Sequence, residues 1–289
     1  SFTAEAYIRD TKNMLTAGKA LPSIYGASSP KMNAADLRTS GYELSLSWRD
    51  MFKLAGKPFG YGVTATLSDY RSVITKYDNP EKSFADSYYE GKRIGEIWGF
   101  VVDGLFDSTE EAQAYAKEVD LGYFSKRLTG GWQGGDLKYV DLDRDGKIGL
   151  GQNTVNNPGD RKIIGNSLAS LQYGFNFSFD WLGFDFNLFL QGTGNHYWYP
   201  SAENMQFWGP YSTPYTSFLP KNFLDNCWDE DNKDAYFPRP RAYAANSTVS
   251  PLGATNTRYL QNLRYLRLKS LTIGYTIPEK LTSKIKLEQ

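Results

Sequence analysis

The feature that most constrains the fold is a strict alternation of apolar and polar residues over residues 171–192, LQYGFNFSFDWLGFDFNLFLQG. Every second residue from Leu171 to Trp181 is leucine or aromatic, and the residues between them are polar or glycine. The alternation resumes after Leu182-Gly183. Because a period of two places successive side chains on opposite faces of a strand, the segment predicts two long amphipathic strands joined by a tight turn.

The same alternation recurs elsewhere in the chain, at Tyr42 to Trp48 and at Phe59 to Leu67, with a short connection between them. Near the chain's end the apolar parity switches close to Ser270, which predicts a β-bulge. Further strands are predicted at Phe2 to Arg9, Ile94 to Phe106 and Asn262 to Ile277.

The other connections are long and lack periodicity, so short turns are expected on one side of the sheet and long loops on the other. They cover residues 74–95, 109–137 and 197–256, and they are rich in Asn, Pro, Ser, Tyr and Trp. One helix is predicted at Ser108 to Glu118, with Ser108 as N-cap and acidic residues in the first turn.

The strands are longer than the 5 or 6 residues typical of a soluble sandwich, and their polar faces carry mainly Gly, Asn, Ser and Thr. This combination favours an all-β fold, a transmembrane antiparallel β-barrel with long extracellular loops. The alternative is a soluble carbohydrate-binding or adhesive β-sandwich, in which the aromatic side chains meet between two sheets. In the barrel, the residues predicted to face the membrane are Tyr173, Phe175, Phe177, Phe179, Trp181, Phe184, Phe186 and Leu188.

Charge and cysteine content exclude several classes of function. The 32 basic and 32 acidic side chains give no net charge, which argues against a nucleic-acid partner. A single cysteine, Cys227, excludes an internal disulfide framework and a multi-cysteine metal site. No apolar run approaches the roughly 20 residues that a membrane-spanning helix requires.

Several stretches resemble the C-terminal half of the barrel in SusC/RagA-type TonB-dependent outer-membrane transporters. The family's GKxxGxxxGFxxDGxF pattern is met over residues 91–106, and the resemblance covers nearly the whole chain. The stretches that carry it are SGYELSLSW, EGKRIGEIWGFVVDGLFDSTEEAQAY, YVDLDRDGKIGLGQ, DRKIIGNSLASLQYGFNFSFDWLGFDFNLFLQGTGN and RYLQNLRYLRLKSLTIGYTIPEKL.

This resemblance implies part of a 22-stranded barrel in the cell outer membrane of a Gram-negative bacterium, with residues 1–289 as a partial barrel domain. The plug, the first half of the barrel and the last strands are expected to lie outside this chain, which stops at Lys286 to Gln289. The implied function is TonB-dependent active import of an oligosaccharide or an oligopeptide. The implied partners are a SusD-like surface lipoprotein that acts as a lid, the TonB complex and outer-membrane lipid.

An acidic stretch forms a candidate calcium site. Asp141, Asp143 and Asp145 occupy positions 1, 3 and 5 of a loop whose sixth residue is Gly146, and this spacing wraps oxygen ligands around Ca²⁺. The other expected ligands are the backbone carbonyl of Lys147 and, at position 12, Gln152 in place of the usual acid. The alternative is a polar turn in which the aspartates bond local amides. Apart from this candidate Ca²⁺, no cofactor is required.

Aromatic residues in the longest loop are the candidates for contact with substrate or lid, because planar rings stack on sugars and peptide side chains. The alternative is that they pack the loop internally. The candidates are Tyr197, Trp198, Tyr199, Phe207, Trp208 and Tyr211.

A catalytic site is not expected. His196 is the single histidine, and no Ser or Cys motif accompanies it, so a packed or solvated loop histidine is favoured over a catalytic one. A β-rich hydrolase is therefore ranked behind both the transporter and the sandwich. The identity of the substrate, glycan or peptide, stays open at this point.

Overall fold

The computed structural model of the chain describes residues 1–17, 24, 26, 30–125, 128, 130–202, 204–217, 219–242 and 244–278. The expected truncation at Lys286 to Gln289 lies outside the described residues. The strands are β1 (Phe2–Ala17), β2 (Lys31–Leu54), β3 (Lys57–Lys76), β4 (Glu96–Phe100), β5 (Val102–Leu105), β6 (Leu137–Tyr139), β7 (Arg161–Asn166), β8 (Ser170–Trp181), β9 (Phe184–Asn195), β10 (Tyr197–Trp198), β11 (Gln261–Asn262) and β12 (Tyr265–Tyr275).

Helical segments are few and short. They are α1 (Thr109–Glu118), α2 (Gly122–Ser125), α3 (Met205–Trp208) and the 3-10 turns Gly209–Tyr211 and Leu224–Asn226. The predicted helix is confirmed as α1, and the Ser108 hydroxyl accepts a hydrogen bond from the Glu111 N–H, as an N-cap should. Among the described residues, none of the helices has the length and apolar character needed to span a membrane.

The chain, predicted as one partial barrel domain, divides into two compact units. The first, called the sheet unit here, comprises Ser1–Lys76, Leu168–His196 and Leu263–Gln289. The second, called the loop unit, comprises Tyr77–Ser167 and Tyr197–Asn262. The three long connections predicted as irregular loops therefore lie almost entirely in one unit, which has a core of its own.

The sheet unit is a six-stranded antiparallel sheet in the order β1-β2-β3-β8-β9-β12. Two-residue turns join β2 to β3 and β8 to β9, and both turns lie at the same end of the strands. In each turn both residues have positive φ, Ala55 and Gly56 in one and Leu182 and Gly183 in the other. This geometry is that of the type I′ turn, whose twist matches the flanking strands.

The long connections all leave the sheet at the opposite end of the strands, as predicted, because β3 runs towards that end and β8 starts from it. The chain leaves again after β9 and returns at β12. The predicted bulge in the last strand is confirmed by a register shift between Leu268 and Ser270. That shift brings Leu268 and Leu271, which have opposite parity in the sequence, onto the same face of the sheet.

The strands β2 and β3 are longer than predicted, with 24 and 20 residues. Their extra length continues past the alternating segment, so periodicity alone did not reveal it. The predicted strand at residues 94–106 is divided into β4 and β5, which pair with β7 and β6 in the loop unit. It does not join the six-stranded sheet, because the chain between β4 and β5 bonds elsewhere, with the Val101 carbonyl accepting the Val140 N–H.

The core of the loop unit is built mainly from aromatic rings. Phe124 stacks on Tyr139 with ring centroids 4.3 Å apart, and Phe100 packs edge-on against both. Tyrosine hydroxyls also donate to backbone carbonyls, from the partly buried Tyr115 to Tyr139 at 2.6 Å and from the buried Tyr211 to Pro238 at 2.6 Å. These bonds satisfy hydroxyls that would otherwise be costly to bury, and burial of the Tyr139 hydroxyl raises its pKa well above the ordinary value.

Candidate functional site

One face of the six-stranded sheet, called the outward face here, is apolar and exposed. Residues directly opposite each other on antiparallel strands share a face, so the register identifies its members strand by strand. One row across the sheet is Phe2, Leu46, Ala65, Phe175, Leu190 and Leu268. Leu46, Leu268 and Ile273 are more than half exposed, at 52%, 55% and 68%.

The predicted membrane-facing residues all lie on this outward face. Pairs across β8 and β9 are Phe175 with Leu190, Phe177 with Leu188, Phe179 with Phe186, and Trp181 with Phe184. Tyr173 follows the same parity and pairs with Leu67. Within the part of the chain that the structure describes, the other sheets are two-stranded and belong to the loop unit, so the sheet unit itself holds a single sheet. The sandwich alternative therefore lacks its second sheet.

Aromatic rings concentrate on the outward face beside the two short turns. Phe179 lies between Phe59 and Phe186, with centroid separations of 5.7 and 5.0 Å and nearly parallel planes. Phe184 packs on Tyr275 at 4.5 Å. Such a belt at one end of an apolar band is typical of the interface between hydrocarbon and lipid headgroups.

The opposite face, called the inward face, carries small and polar side chains. The Ser47 and Thr64 hydroxyls are 3.1 Å apart, and the Asn176 side-chain amide donates to the Asn187 side chain at 3.3 Å. One row across the sheet is Ser45, Thr66, Gly174, Gln191 and Arg267. These mostly small and hydrogen-bonding side chains, with Arg267 as a charged member of the row, suit contact with water or a polar solute.

Two pairs of acidic residues stand on the inward face, and the sequence reasoning missed both. Glu5 is directly opposite Glu43, and Asp180 is directly opposite Asp185. The Asp180 carboxylate leans away over Gly60, where a Cβ would lie 2.5 Å from Oδ1. Asp185 leans over Gly274 in the same way. The splayed arrangement reduces repulsion between like charges that face each other across two strands.

The candidate calcium loop lies in the loop unit. Oxygen atoms of Asp141, Asp143 and Asp145 lie within 4.8 Å of one another. Asp141 Oδ2 accepts the Gly146 N–H at 2.9 Å, while Asp141 Oδ1 is buried and has no hydrogen-bond partner. Arg144 and Gly146 have positive φ, which gives the tight curvature that brings the three carboxylates together. The donor set is hard oxygen and fits Ca²⁺.

The remaining predicted ligands fit less closely. The Lys147 side chain pairs with Asp145 at 3.4 Å, and its backbone N–H donates to Asp145 Oδ1 at 3.1 Å. Gln152 is exposed, and its backbone N–H donates to the Asn157 carbonyl at 3.1 Å. The aspartates also bond local amides, as the polar-turn alternative predicts, so the orphaned oxygen of Asp141 is the feature that favours a cation.

Asp160, which was not predicted, holds the acidic loop through hydrogen bonds to its backbone. Its two carboxylate oxygens accept the N–H groups of Leu142 at 2.6 Å and Gly149 at 2.7 Å. These two bonds hold together the entry and the exit of the acidic turn. Burial raises the pKa of Asp160, and the nearby carboxylates of Asp143 and Asp141 raise it further.

The loop aromatics divide into a buried group and an accessible group. Trp208 and Tyr211 are fully excluded from solvent, at 0% and 1% exposure, and Tyr199 donates to the Leu252 and Ala254 carbonyls from the interior. The prediction that Trp208 and Tyr211 contact substrate or lid is corrected, because core residues have no surface to offer. Tyr197 and Phe207 are partly buried, and Trp198 is 41% exposed.

Cys227 and His196 carry no catalytic arrangement in the described structure. The Cys227 thiol is buried against the Tyr211 hydroxyl at 3.4 Å, and burial raises the pKa of the thiol, which makes it less reactive. His196 is partly buried, and its backbone carbonyl accepts the Leu263 N–H at 2.8 Å.

Comparison with known proteins gives a consistent result. No protein-family profile matches the chain. It is 26% identical over 93% of its length to TonB-dependent receptor P3 of Formosa agariphila, and 20% identical over 98% to TonB-dependent receptor P39 of the same organism. The chain spans about a quarter of the length of these curated relatives, 24% and 28%.

Solved structures of the RagAB peptide transporter have a similar fold. One covers 99% of this chain with a TM-score of 0.61 at 18% identity, and this chain covers 28% of that structure. The closed-closed state of the RagAB peptide importer covers 97% with a TM-score of 0.58 at 20% identity, and 28% of that structure is covered. The predicted resemblance to SusC/RagA-type TonB-dependent transporters is confirmed, as is the all-β antiparallel fold of part of such a barrel.

Proposed function

We propose that this chain forms part of the barrel wall and extracellular region of a TonB-dependent transporter in a Gram-negative outer membrane. The transporter would import an oligosaccharide or an oligopeptide. The observation that carries the proposal is the contrast between the two faces of the six-stranded sheet. One face is apolar and exposed, and the other is small and polar.

The two faces are suited to different surroundings. Contact with lipid chains stabilises the outward Phe, Leu and Ile side chains by about 25 cal/mol per Å² of apolar surface removed from water. The inward Ser, Thr, Asn and Gln side chains then face a water-filled lumen. Among the described residues, β1 and β12 each have one edge without a paired strand, and in hydrocarbon these edges require neighbouring strands, because unsatisfied backbone groups are not tolerated there.

The partners of the transporter follow from the same proposal. A SusD-like lipoprotein would close over the extracellular side, and the TonB complex would supply energy through a region of the protein outside this chain. The similarity to a peptide transporter makes an oligopeptide the first substrate class to test, with an oligosaccharide as the second. Trp198, with partly buried Tyr197 and Phe207 beside it, is the proposed contact for substrate or lid.

We also propose that the acidic loop binds Ca²⁺ through Asp141, Asp143 and Asp145, with the Lys147 carbonyl as a further ligand. Bound Ca²⁺ would offset two of the three negative charges of the clustered carboxylates and fix the turn. The test is terbium luminescence on the detergent-solubilised, full-length protein, with Asp143→Asn as variant and exposed Asp231→Asn as matched control. We expect Asp143→Asn to lose calcium-displaceable luminescence and the control to keep it. Equal signals in both variants would refute the site.

The import function is tested by uptake. A strain lacking the gene would be complemented with the wild-type protein or with Trp198→Ala, and growth on defined peptides or glycans would be followed. We expect restored growth with the wild type on one of the two substrate classes, and heat-modifiable migration of the detergent-extracted protein. A protein that stays soluble without detergent, or that restores growth on neither class, would contradict the proposal.

A further inference from the structure

Basic side chains occupy the outward face just beyond its apolar band, towards the strand ends from which the long connections leave. Arg71 on β3 is directly opposite Ser40 on β2, and Arg38 on β2 is directly opposite Asp10 on β1. Lys12 follows on β1, close enough to interact electrostatically with the Asp10 carboxylate. Lys12, Arg38 and Arg71 are all exposed. Three neighbouring strands therefore each contribute one cation to the same region of the surface.

The acidic groups on this part of the surface already have partners. Asp10 accepts two bonds from the Arg38 guanidinium, at 2.7 Å from Nε and 3.0 Å from Nη2. Asp69 Oδ1 accepts the backbone N–H groups of Tyr70 at 2.9 Å and Leu171 at 3.0 Å. The pairing with Asp10 fixes Arg38 while leaving three of its five N–H groups for other acceptors. Arg71 has no acidic neighbour directly opposite it on β2.

The height of these cations matches the boundary of a lipid bilayer. Phe59 in the aromatic belt and Arg71 are on the same strand, with about 40 Å of chain between them at roughly 3.3 Å per residue. A strand tilted by about 40° converts this length to a height of about 30 Å, close to the thickness of the hydrocarbon core. With the belt at one interface, Arg71 reaches the headgroups of the other.

The inward face at the same height is different. Thr39 and Ile74, whose side chains point the other way, are buried at 6% and 2% exposure. The Thr39 hydroxyl is 2.8 Å from the Ser72 hydroxyl. Arg9 on β1, directly opposite Thr39, is an exposed cation on the inward side, whereas Lys12, Arg38 and Arg71 lie together on the outward side, where lipid is the expected neighbour.

We propose that Lys12, Arg38 and Arg71 form a binding site for the phosphate groups of an anionic lipid in the outer leaflet. The proposal rests on the proposed function, since it requires the outward face to meet the membrane. Arginine offers planar donors that match phosphate oxygens, and lysine adds a point charge. The lipid chains would then lie on the apolar band directly below, next to Ile8 and Tyr42.

The experiment uses the full-length protein in detergent micelles, with diphosphoryl lipid A as the probe and native mass spectrometry to count bound lipid. The variant is Lys12→Gln/Arg71→Gln, which leaves the Asp10–Arg38 pair intact. The matched control is Arg49→Gln, an exposed arginine on the inward face of β2. We expect the double variant to bind lipid A about 30-fold more weakly, because each basic residue near an anionic surface contributes a factor of about five. Arg71→Lys should retain most of the binding.

The outcomes separate this inference from the proposed function. Equal lipid A binding by the wild type, the double variant and the control, in a protein that remains heat-modifiable, would overturn the lipid site alone. Loss of heat-modifiable migration in the wild type would instead overturn the proposed function. Binding that falls equally in Arg49→Gln and the double variant would show a non-specific charge effect and would also overturn the site.

Discussion

Asp136 and Arg241 form an ion pair inside the loop unit, with Asp136 Oδ1 2.9 Å from Arg241 Nε. Both side chains are largely excluded from water. The Asp136 carboxylate also accepts the Gln133 N–H at 2.8 Å, and Arg241 Nη2 donates to the Gly131 carbonyl at 3.0 Å. The loop unit consists of two excursions of the chain from the sheet, residues 77–167 and residues 197–262. The pair therefore joins the first excursion to the second. The sequence alone did not indicate that two residues so far apart would meet.

Removing one charge of this pair should destabilise the loop unit. Arg241→Met leaves the Asp136 carboxylate buried without its counter-charge, at a cost of about 3–5 kcal/mol at pH 7. The double variant Asp136→Asn/Arg241→Met should recover much of that loss. Urea denaturation of the purified full-length protein, followed by tryptophan fluorescence, measures both. A double variant that is as unstable as the sum of the two single variants would contradict the pairing.

The same carboxylate predicts a pH dependence of stability. Burial raises the pKa of Asp136 to about 6, although Arg241 opposes the shift. Because the folded state then binds a proton more tightly than the unfolded state, this group adds stability as pH falls from 7 to 5. The gain is about 1 kcal/mol. Urea denaturation at the two pH values should show the increase in the wild type and a smaller increase in Asp136→Asn. An identical increase in both would assign it to other groups.

The two faces of the sheet should respond oppositely to an introduced charge. Phe177→Arg puts a guanidinium on the outward face and should cost about 2–4 kcal/mol if that face meets hydrocarbon. Asn176→Arg, one residue away on the inward face, exposes the same group to water and should cost about 1 kcal/mol through the lost bond to Asn187. Folding into lipid vesicles, followed by heat-modifiable migration, ranks the two variants. The reverse ranking would place lipid on the other face.

The two tryptophans of the longer excursion should separate stability from recognition. Trp208→Ala removes a fully buried side chain that packs on Tyr259 at 5.1 Å, and it should cost about 3–5 kcal/mol. Trp198→Ala should change stability by about 0.5 kcal/mol or less, because Trp198 is exposed. If Trp198 contacts substrate or lid, its variant lowers uptake at unchanged protein level. Normal uptake with Trp198→Ala would leave that contact without support.

Local sequence patterns predicted the sheet well because each strand of a sheet with one apolar and one polar face shows the alternation within its own sequence. The alternation in Phe175, Phe177 and Phe179 specified the face, and the parity switch near Ser270 specified the bulge. The part of β2 before Tyr42 was not predicted. There the inward side chains are buried and the outward side chains are charged, as at Thr39 and Arg38, so apolar and polar residues no longer alternate.

The loop unit was not predictable in the same way because its core is assembled from distant segments. Phe100 takes its backbone partners from Thr255 and Thr257, and Tyr139 donates to the Pro251 carbonyl. Nothing local to Trp208 distinguishes it from Trp198, since both lie in aromatic, aperiodic sequence. The acidic loop was recognised from spacing alone, whereas its support by Asp160 depends on a contact that spacing does not encode.

The shared core of the two excursions has a consequence for how such proteins diversify. Residues 77–167 and 197–262 are separated in the chain by the β8–β9 hairpin, yet each supplies half of one interior. A recombination event that exchanges only one of them brings together two halves that were never selected to fit. New specificities are therefore expected to be inherited by co-transfer of both excursions, with the hairpin between them carried along.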